Sequence, residues 1–473
     1  AVGEQRAARG AIFEQEDFPL KKTLLETLAK HAVVCNEQLP QSNNVGEIKI
    51  ILKEPDAPPV AVPPRRASRA NELFIEKKLD EMLSQGIISP SRSQYASPVV
   101  VVRRQGVDPR LCIDYRELNK RLVRPAHPMK DTRTMIRNLQ GNSYFGTLDL
   151  RSGFHQIRLA ADSRRFTAFA THKGLFEFEK LPFGIAIAPQ EFQSIMSGVL
   201  HGIPGVDVYV DDIIIAAATP EVFVERAGET LKRLEEAGLR VKPSKCKLGM
   251  SSIKFLGHLV DGNGLQLTDE RRSAFTSLRS PQNLVQLRAF LGLCNYFRTF
   301  IENFAISAAP LTKLLKKNQL FTWQDEQETA FRTLKLSLVE APVLHHINYE
   351  KRIILRTDAS QDGIGAVLLQ ESDNGKRSPV AYLSKSFSAQ QKKWSTIESE
   401  AYAIYFAISQ WQEFLTGHPF VVETDHANLR YLEKATAPKL IRWRLQLSSF
   451  DFVVRHIPGK ENNVADTLSR LCA

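Results

Sequence analysis

A chain of 473 residues is longer than a single hydrophobic core usually serves, so the sequence predicts several compact units. Apolar residues make up 43% and charged residues 24%, which excludes wholesale disorder, and no run of about 18 apolar residues suggests a membrane span. The net charge of +11 favours an anionic polymer such as nucleic acid as partner, and a basic protein kept soluble by its charge is the alternative.

Cysteine usage bounds the chemistry further. The five cysteines are odd in number and far apart, and no C-x-x-C pair occurs, so zinc ribbons and a disulfide framework are not expected. A reducing compartment fits this pattern. The chain opens with Ala1 and has no signal-peptide pattern, and we expect it to be a fragment excised from something longer.

The first hundred residues carry few chemical signals. Residues 20–31 fit an amphipathic helix, and residues 55–69 are rich in proline and arginine and should run extended over a surface. A helix is predicted over 71–85 and a strand over 98–103. The next turn carries Arg103 and Arg110 at its ends, which suits a clamp on a triphosphate, although a solvated basic hairpin explains the same residues.

Two later strands carry carboxylates. Residues 144–150 read as a buried strand whose only charge is Asp149, and a buried charge must be paired or metal-bound. Residues 206–215 are two apolar runs around Asp211 and Asp212, which predicts a hairpin with carboxylates at its turn. Oxygen-only ligands of this density suit Mg²⁺, whereas a solvated Asp-Asp turn is the alternative.

A helical region follows over 283–317 and ends in lysines, which fits either a clamp on a duplex backbone or solvated helix faces. A second module begins near Arg352. Asp358 and Asp425 end apolar strands there, Glu400 lies in an apolar helix and Asp466 in a C-terminal helical turn. Any one of these acids fits a cap or a solvated position, but four in strand–helix–strand–helix order predict a common site.

Motifs distributed over residues 50–471 resemble the reverse transcriptase–ribonuclease H of long-terminal-repeat retrotransposons of the Ty3/gypsy group. The motifs are Ala96-Ser-Pro-Val-Val, Ile113-Asp-Tyr-Arg-Glu-Leu-Asn-Lys120, Leu148-Asp-Leu-Arg-Ser-Gly-Phe-His-Gln156, Leu181-Pro-Phe-Gly184, Tyr209-Val-Asp-Asp212, Phe255-Leu-Gly-His258, Thr357-Asp-Ala-Ser360, Thr424-Asp-His426 and Val464-Ala-Asp-Thr-Leu-Ser-Arg470.

The resemblance implies an α+β right-hand polymerase with fingers, palm and thumb, followed by an α/β ribonuclease H-like domain with a mixed sheet. The implied domains are an N-terminal extension (1–50), fingers and palm (51–255), thumb (256–310), a link (311–350) and the ribonuclease H domain (351–473). The link is too short for the connection domain of lentiviral enzymes. Protease and zinc-finger integrase motifs do not occur.

The resemblance also implies roles for individual residues. In the polymerase, Asp149, Asp211 and Asp212 would hold two Mg²⁺ ions, and Mn²⁺ would be an alternative metal. Phe154 would stack under the sugar and exclude a 2′-hydroxyl, so deoxynucleotides would be preferred. The other implied nucleotide-binding residues are Arg103, Arg110, Phe183, Gly184, Tyr209 and Val210, and the implied primer grip is Leu256 and Gly257.

In the second module the resemblance implies that Asp358, Glu400, Asp425 and Asp466 hold two Mg²⁺ ions that hydrolyse RNA in an RNA–DNA hybrid. His456 occupies a position where relatives carry His or Tyr. It would assist product release or proton transfer, or would be merely structural. Ile187 departs from the family, which usually has Asn there, and we expect this to alter the local packing near the nucleotide site.

The implied activity is RNA- and DNA-templated DNA synthesis with hybrid-specific ribonuclease H activity, on template-primers and dNTPs. The expected setting is a virus-like particle in the cytoplasm after excision from a Pol polyprotein, with the chain acting as a monomer or as a homodimer assembled on substrate. The alternatives are a catalytically inactive, domesticated nucleic-acid-binding protein, an RNA-dependent RNA polymerase, and a C-terminal module that is only structural. The seven carboxylates argue against the first.

Overall fold

The computed structural model describes residues 18–36, 40, 43–104, 107–127, 131–316, 319–425 and 437–458. The chain divides after Ile253 into two compact units. Within the described residues no helix has both the length and the apolar character needed to cross a lipid bilayer.

A four-stranded antiparallel sheet with the order β11-β5-β10-β9 lies at the centre of the first unit. Its central strands are rich in Ile, Leu and Phe, and residues such as Phe145 and Ile214 are fully buried. The strands of the first unit are β1 Glu47–Ile48, β2 Ile88–Pro90, β3 Ser97–Arg104, β4 Val107–Ile113, β5 Tyr144–Asp149, β6 Arg158–Leu159, β7 Phe169–Thr171, β8 Gly174–Phe178, β9 Val206–Tyr209, β10 Asp212–Ala217 and β11 Lys247–Met250.

A second sheet of this unit has the order β2-β8-β7-β3-β4, in which β3 and β4 form the predicted hairpin. The N-terminal residues belong to the same core as the central sheet, since Leu24, Val34 and Ile48 are buried in it. The α-helices of the first unit are α1 Lys21–Lys30, α2 Arg69–Ser84, α3 Arg116–Arg121, α4 Thr132–Asn138, α5 Ala161–Arg164, α6 Ala188–Val199 and α7 Pro220–Glu236.

The second unit contains two sheets, and the strand Ser252–Phe255 that opens the first of them (β12) crosses the boundary between the units. The other strands of that sheet are β13 His258–Asp261, β14 Gly264–Leu267 and β15 Leu344–His345. The α-helices between them are α8 Asp269–Thr276, α9 Leu284–Tyr296, α10 Phe304–Ser307, α11 Ala309–Lys313 and α12 Asp325–Val339.

The last sheet has the order β18-β17-β16-β19-β20, with antiparallel pairs on one side of β16 and parallel pairs on the other. This confirms the mixed sheet that the sequence predicts for the second module. Apolar residues of one face, such as Leu355 and Val422, pack with Ala403 of α13 into a separate core. The elements are β16 Arg352–Ala359, β17 Gly363–Glu371, β18 Arg377–Ser386, α13 Thr396–Gln410, α14 Gln412–Leu415, β19 Phe420–Thr424, α15 Pro438–Leu447 and β20 Phe452–His456.

Candidate active sites

The carboxylates of the first unit meet where β5 and β9 end and β10 begins. Asp149 lies directly opposite Asp212 in the antiparallel pair of β5 and β10, and Asp212 lies opposite Tyr209 across the hairpin. Asp211 occupies the turn, and its carbonyl oxygen accepts a hydrogen bond from Leu150 N at 3.4 Å. Asp149 precedes the adjacent pair Asp211 and Asp212 by 62 residues in the chain, and the pairing of β5 with β10 brings the three acids together.

The turn that presents Asp211 has an unusual backbone. Val210 has φ of +55°, a left-handed conformation that costs a β-branched residue free energy. The buried amide of Gln193 holds this turn, because its Nε2 donates to Val208 O at 2.9 Å and its Oε1 accepts from Val210 N at 2.7 Å. Gln193 therefore satisfies the hydrogen-bonding groups on both sides of Tyr209.

The segment after Asp149 comes close to the same turn. A Cβ atom added to Gly153 would lie 3.2 Å from Asp211 Cβ, so a side chain at position 153 would press on the carboxylate. This close approach explains why glycine stands between Ser152 and Phe154.

Lys245 is the cation at this site. Its Nζ lies 2.9 Å from Asp149 Oδ2, and the hydrogen bond to Asp149 followed by the charges of all three carboxylates raises the pKa of Lys245. Partial desolvation, and then the charges of Asp211 and Asp149, raise the pKa of Asp212. The three acids therefore repel one another, and a cation placed among them would relieve that repulsion.

Aromatic side chains line the neighbouring surface. Phe154 is 9% exposed, with its ring centroid 4.9 Å from that of Phe183 and 5.2 Å from that of Phe192. Phe183 is 52% exposed and thus presents a ring to solvent. Gly184 has φ of +91°, which allows the turn after Phe183, and Ile187 is buried at the start of α6, where it contributes to the core.

The two arginines predicted to contact a triphosphate lie on the β3–β4 hairpin and are both exposed. Arg103 donates to Asn71 Oδ1 through Nε at 3.1 Å and Nη2 at 3.0 Å. Arg110 lies opposite Val102. Their contact with a triphosphate stays a prediction.

The predicted primer grip, Leu256 and Gly257, is the two-residue turn between β12 and β13. Both residues have positive φ, +49° and +82°, as two-residue hairpin turns of the I′ type require. The hydroxyl of Tyr296 donates to Leu256 O at 2.9 Å and holds the turn.

The second unit contains a tight acidic cluster. Asp358 at the end of β16, Glu400 on α13 and Asp425 just after β19 each offer a carboxylate oxygen, and these oxygens all lie within 4.8 Å of one another. The parallel pairing of β16 with β19 brings the two aspartates together, and α13 packs against β16 and adds the glutamate.

Glu400 is the buried member of this cluster. The residue is 3% exposed, and its Oε2 is buried without a hydrogen-bond partner. Burial, and then the charges of Asp358 and Asp425, raise the pKa of Glu400 to about 9. An orphaned buried oxygen among three carboxylates fits a divalent metal ion, and hard oxygen donors of this kind suit Mg²⁺.

His456 lies beside the same cluster. Its Nε2 is 3.0 Å from Asp425 O, and since a carbonyl oxygen only accepts, Nε2 donates. The ring thus supports the backbone at Asp425. Asp466, the fourth predicted acid, lies outside the described residues.

Sequence reasoning missed several residues that contact these sites. Gln193 lies among residues with a helical pattern and Lys245 in a run of lysines, and neither pattern distinguishes the residue. In the second unit, Glu423 and Arg356 each precede a site aspartate by two residues. A charge two positions before a site residue on a strand shares its face, and this spacing was a usable signal.

Comparison with known proteins identifies both domains. The family described as "Reverse transcriptase (RNA-dependent DNA polymerase)" matches residues 102–260, and the "RNase H-like domain found in reverse transcriptase" matches residues 348–450. The retrovirus-related Pol polyprotein from transposon 412 of Drosophila melanogaster is 36% identical over 471 residues, which is 97% of this chain and 38% of that protein.

Solved structures show the same fold. The foamy viral protease–reverse transcriptase in complex with double-stranded DNA matches with a TM-score of 0.78 at 23% identity, over 96% of this chain and 81% of that one. Its complex with an RNA/DNA hybrid matches with a TM-score of 0.70 at 23% identity, over 96% of this chain and 62% of that one.

The chain spans well under half the length of the curated relative it matches. It carries a reverse transcriptase domain followed by an RNase H-like domain of the kind found in reverse transcriptases, with relatives among retrotransposon Pol polyproteins of the Ty3/gypsy type. The resemblance predicted from the motifs is confirmed, and so is the fold of a polymerase followed by a ribonuclease H-like domain.

Proposed function

We propose that this chain copies RNA and DNA templates into DNA and hydrolyses the RNA strand of RNA–DNA hybrids during replication of a retrotransposon. The observation that carries the proposal is the pair of acidic sites, one in each domain. Asp149 and Asp212 face each other across paired strands beside Asp211, and Asp358, Glu400 and Asp425 converge within 4.8 Å.

In the polymerase site Asp149, Asp211 and Asp212 would hold two Mg²⁺ ions, and Mn²⁺ is the alternative. Bound there, the metal supplies charge that polarises phosphate oxygens and lowers the pKa of an attacking hydroxyl. The reaction joins the primer 3′-oxygen to the α-phosphorus of a dNTP and breaks the bond to pyrophosphate. Gln193 and Val210 keep the turn in the conformation that presents Asp211.

Nucleotide selection rests on the aromatic cluster and the hairpin. Phe154, fixed by its contacts with Phe183 and Phe192, gives a stiff wall against the sugar, which a 2′-hydroxyl would strike. Arg103 and Arg110 contact the triphosphate, for which guanidinium groups have matching donors. Leu256 and Gly257 contact the primer through their half-buried turn.

In the nuclease site Asp358, Glu400, Asp425 and Asp466 would hold Mg²⁺, and water attacks the phosphorus while the RNA 3′-oxygen leaves. The binding partners are an RNA–DNA hybrid and template-primers, which are polyanions that a net charge of +11 attracts. The chain acts in cytoplasmic particles after its release from a Pol polyprotein. It works as a monomer or as a dimer assembled on substrate, and sedimentation with and without hybrid distinguishes the two.

One reaction tests the proposal. A labelled RNA template annealed to a labelled DNA primer is incubated with dNTPs and Mg²⁺, and both strands are followed. We expect primer growth together with template shortening. Asp211→Asn should abolish growth and spare shortening, and Glu400→Gln should do the reverse, so each variant is the matched control of the other.

The second candidate function is nucleic-acid binding without catalysis, which the net charge alone would allow. It predicts that the hybrid is bound while neither strand changes. Primer growth without template shortening would instead leave the polymerase and make the acidic cluster of the second unit structural.

A further inference from the structure

An ionic network lies next to the acidic cluster of the second unit, two residues earlier on the same strands. The carboxylate of Glu423 is 1% exposed and accepts hydrogen bonds from two guanidinium groups. Arg356 Nη2 lies 2.9 Å from Glu423 Oε2, and Arg377 Nη1 and Nη2 lie 2.9 Å from Oε2 and 3.0 Å from Oε1. Arg377 also donates to Glu371 Oε1 at 3.2 Å.

The position of this network in the sheet ties it to the metal site. Arg356 lies directly opposite Glu423 in the parallel pair of β16 and β19. Asp358 follows Arg356 by two residues, and Asp425 follows Glu423 by two. Since alternate residues of a strand share a face, the ion pair occupies the row next to the two aspartates.

Net stability is a poor explanation for these charges. Burial of an ion pair costs desolvation free energy, and apolar replacements of similar size are often neutral or stabilising. The network nevertheless places charged side chains where Val or Leu would pack.

These charges can fix the register in which β16 pairs with β19. A slip of one residue between β16 and β19 would turn the side chains of one strand to the opposite face and separate Asp358 from Asp425. Apolar side chains tolerate small shifts, whereas a fork of two N–H donors on one carboxylate is satisfied in one arrangement.

We propose that Glu423, held by Arg356 and Arg377, is a positioning residue of the nuclease site that fixes the register of β16 against β19 and so the spacing of Asp358 and Asp425. The inference rests on the proposed nuclease function and deepens it. Glu423→Gln keeps the shape of the side chain but removes the carboxylate that pairs with Arg356 and leaves Arg377 with Glu371 alone. The added positive charge beside the aspartates opposes cation binding.

The test measures metal binding separately from catalysis. Mn²⁺ is titrated calorimetrically into the full chain carrying Asp149→Asn and Asp211→Asn, which removes two of the three polymerase ligands. Asp425→Asn in that background identifies the heat of the nuclease site. We expect Glu423→Gln to weaken Mn²⁺ binding about tenfold, as loss of a supporting partner of metal ligands does. The Mg²⁺ concentration for half-maximal hybrid cleavage should rise by the same factor, with extension unchanged in the otherwise native chain.

Two further variants make the outcome decisive. Arg352→Gln is the matched control, because Arg352 begins the same strand and its ion pair with Glu371, at 3.7 Å, lies at the end away from Asp358. It should leave Mn²⁺ affinity unchanged. Arg356→Lys keeps the charge and removes the fork, and should weaken binding severalfold even if Glu423→Gln fails to fold.

Native Mn²⁺ affinity in Glu423→Gln or in Arg356→Lys, with only a lower melting temperature, would overturn the proposal and leave a structural ion pair. Failure of the nuclease function looks different. In that case the native chain would bind Mn²⁺ at the cluster and leave the hybrid intact, and the binding titrations would still decide the role of Glu423.

Discussion

Replacement of Glu400 by glutamine should stabilise the metal-free protein while it abolishes RNA cleavage. The carboxyl group is 3% exposed, its Oε2 has no hydrogen-bond partner, and its pKa of about 9 compares with an ordinary value of 4.5. A group whose pKa is raised on folding binds its proton more tightly in the folded chain. Its unfavourable effect therefore begins above pH 4.5 and grows until about pH 9.

The size of the effect follows from that interval. At pH 7 the unfolded glutamate is ionised and the folded one holds a proton, and each pH unit above 4.5 costs about 1.4 kcal/mol, which amounts to about 3 kcal/mol. Glutamine is neutral in both states and removes this cost, less about 1 kcal/mol for a buried amide whose hydrogen bonds are incompletely satisfied. We expect a net gain of about 2 kcal/mol at pH 7.

The assay is thermal and urea unfolding in EDTA at pH 5 and pH 8, with the same measurements in Mg²⁺. The advantage of Glu400→Gln should be small at pH 5 and grow towards pH 8, and Mg²⁺ should stabilise the native chain more than the variant. Glu398→Gln on the same helix is the control, because Glu398 pairs with Lys439 at 3.0 Å and its pKa is lowered. A variant less stable than the native chain at pH 8 in EDTA would refute the reasoning.

Three further predictions concern the rest of the chain. Gln193→Leu leaves Val208 O and Val210 N without their hydrogen-bond partner, which costs about 1–3 kcal/mol of folding free energy. The variant should lower the kcat/KM of DNA synthesis while RNA cleavage stays native. Unchanged synthesis would contradict the role of Gln193. Phe154→Ala should raise the ratio of ribonucleotide to deoxynucleotide incorporation in single-nucleotide assays and cost about 3 kcal/mol of stability, and an unchanged ratio would remove Phe154 from sugar selection. Burial lowers the pKa of His258 to about 4, so below pH 6.5 the unfolded chain binds a proton that the folded chain does not. The unfolding free energy should therefore fall by about 3 kcal/mol between pH 6.5 and pH 4. Urea titrations should show this fall in the native chain and not in His258→Gln.

The sequence predicted the local elements of both sites because their signals are local. Two apolar runs around Asp211 and Asp212 are typical of a hairpin, and β9 and β10 run over 206–209 and 212–217. The alternation of strand and helix around Asp358, Glu400 and Asp425 likewise ordered three acids that the structure places together. In each case a polar residue stood out because its neighbours were apolar.

Residues that act through long-range pairing were not predictable in this way. Lys245 contacts Asp149 over a separation of 96 residues, and nothing in its basic surroundings distinguishes it from Lys242 or Lys247. Gln193 lies on a helix whose pattern explains it as a core-facing position. Only the pairing of strands and helices in space shows which of several similar side chains contacts an acid or a turn.

The two sites therefore differ in how their acids are supported, and this difference bears on their chemistry. In the first unit a side-chain cation, Lys245, lies on Asp149 with more than half of its side chain exposed, so solvent can take over its role when it moves away. In the second unit the ion pair beside the acids is buried, since the side chains of Arg356 and Glu423 are 11% and 1% exposed. An exposed lysine can move away from the carboxylate each time a nucleotide binds. A buried ion pair instead holds two strands in one register. Under the proposed function, the first arrangement would suit a polymerase site that admits a triphosphate at every step. The second would suit a nuclease site whose carboxylates keep one spacing throughout hydrolysis.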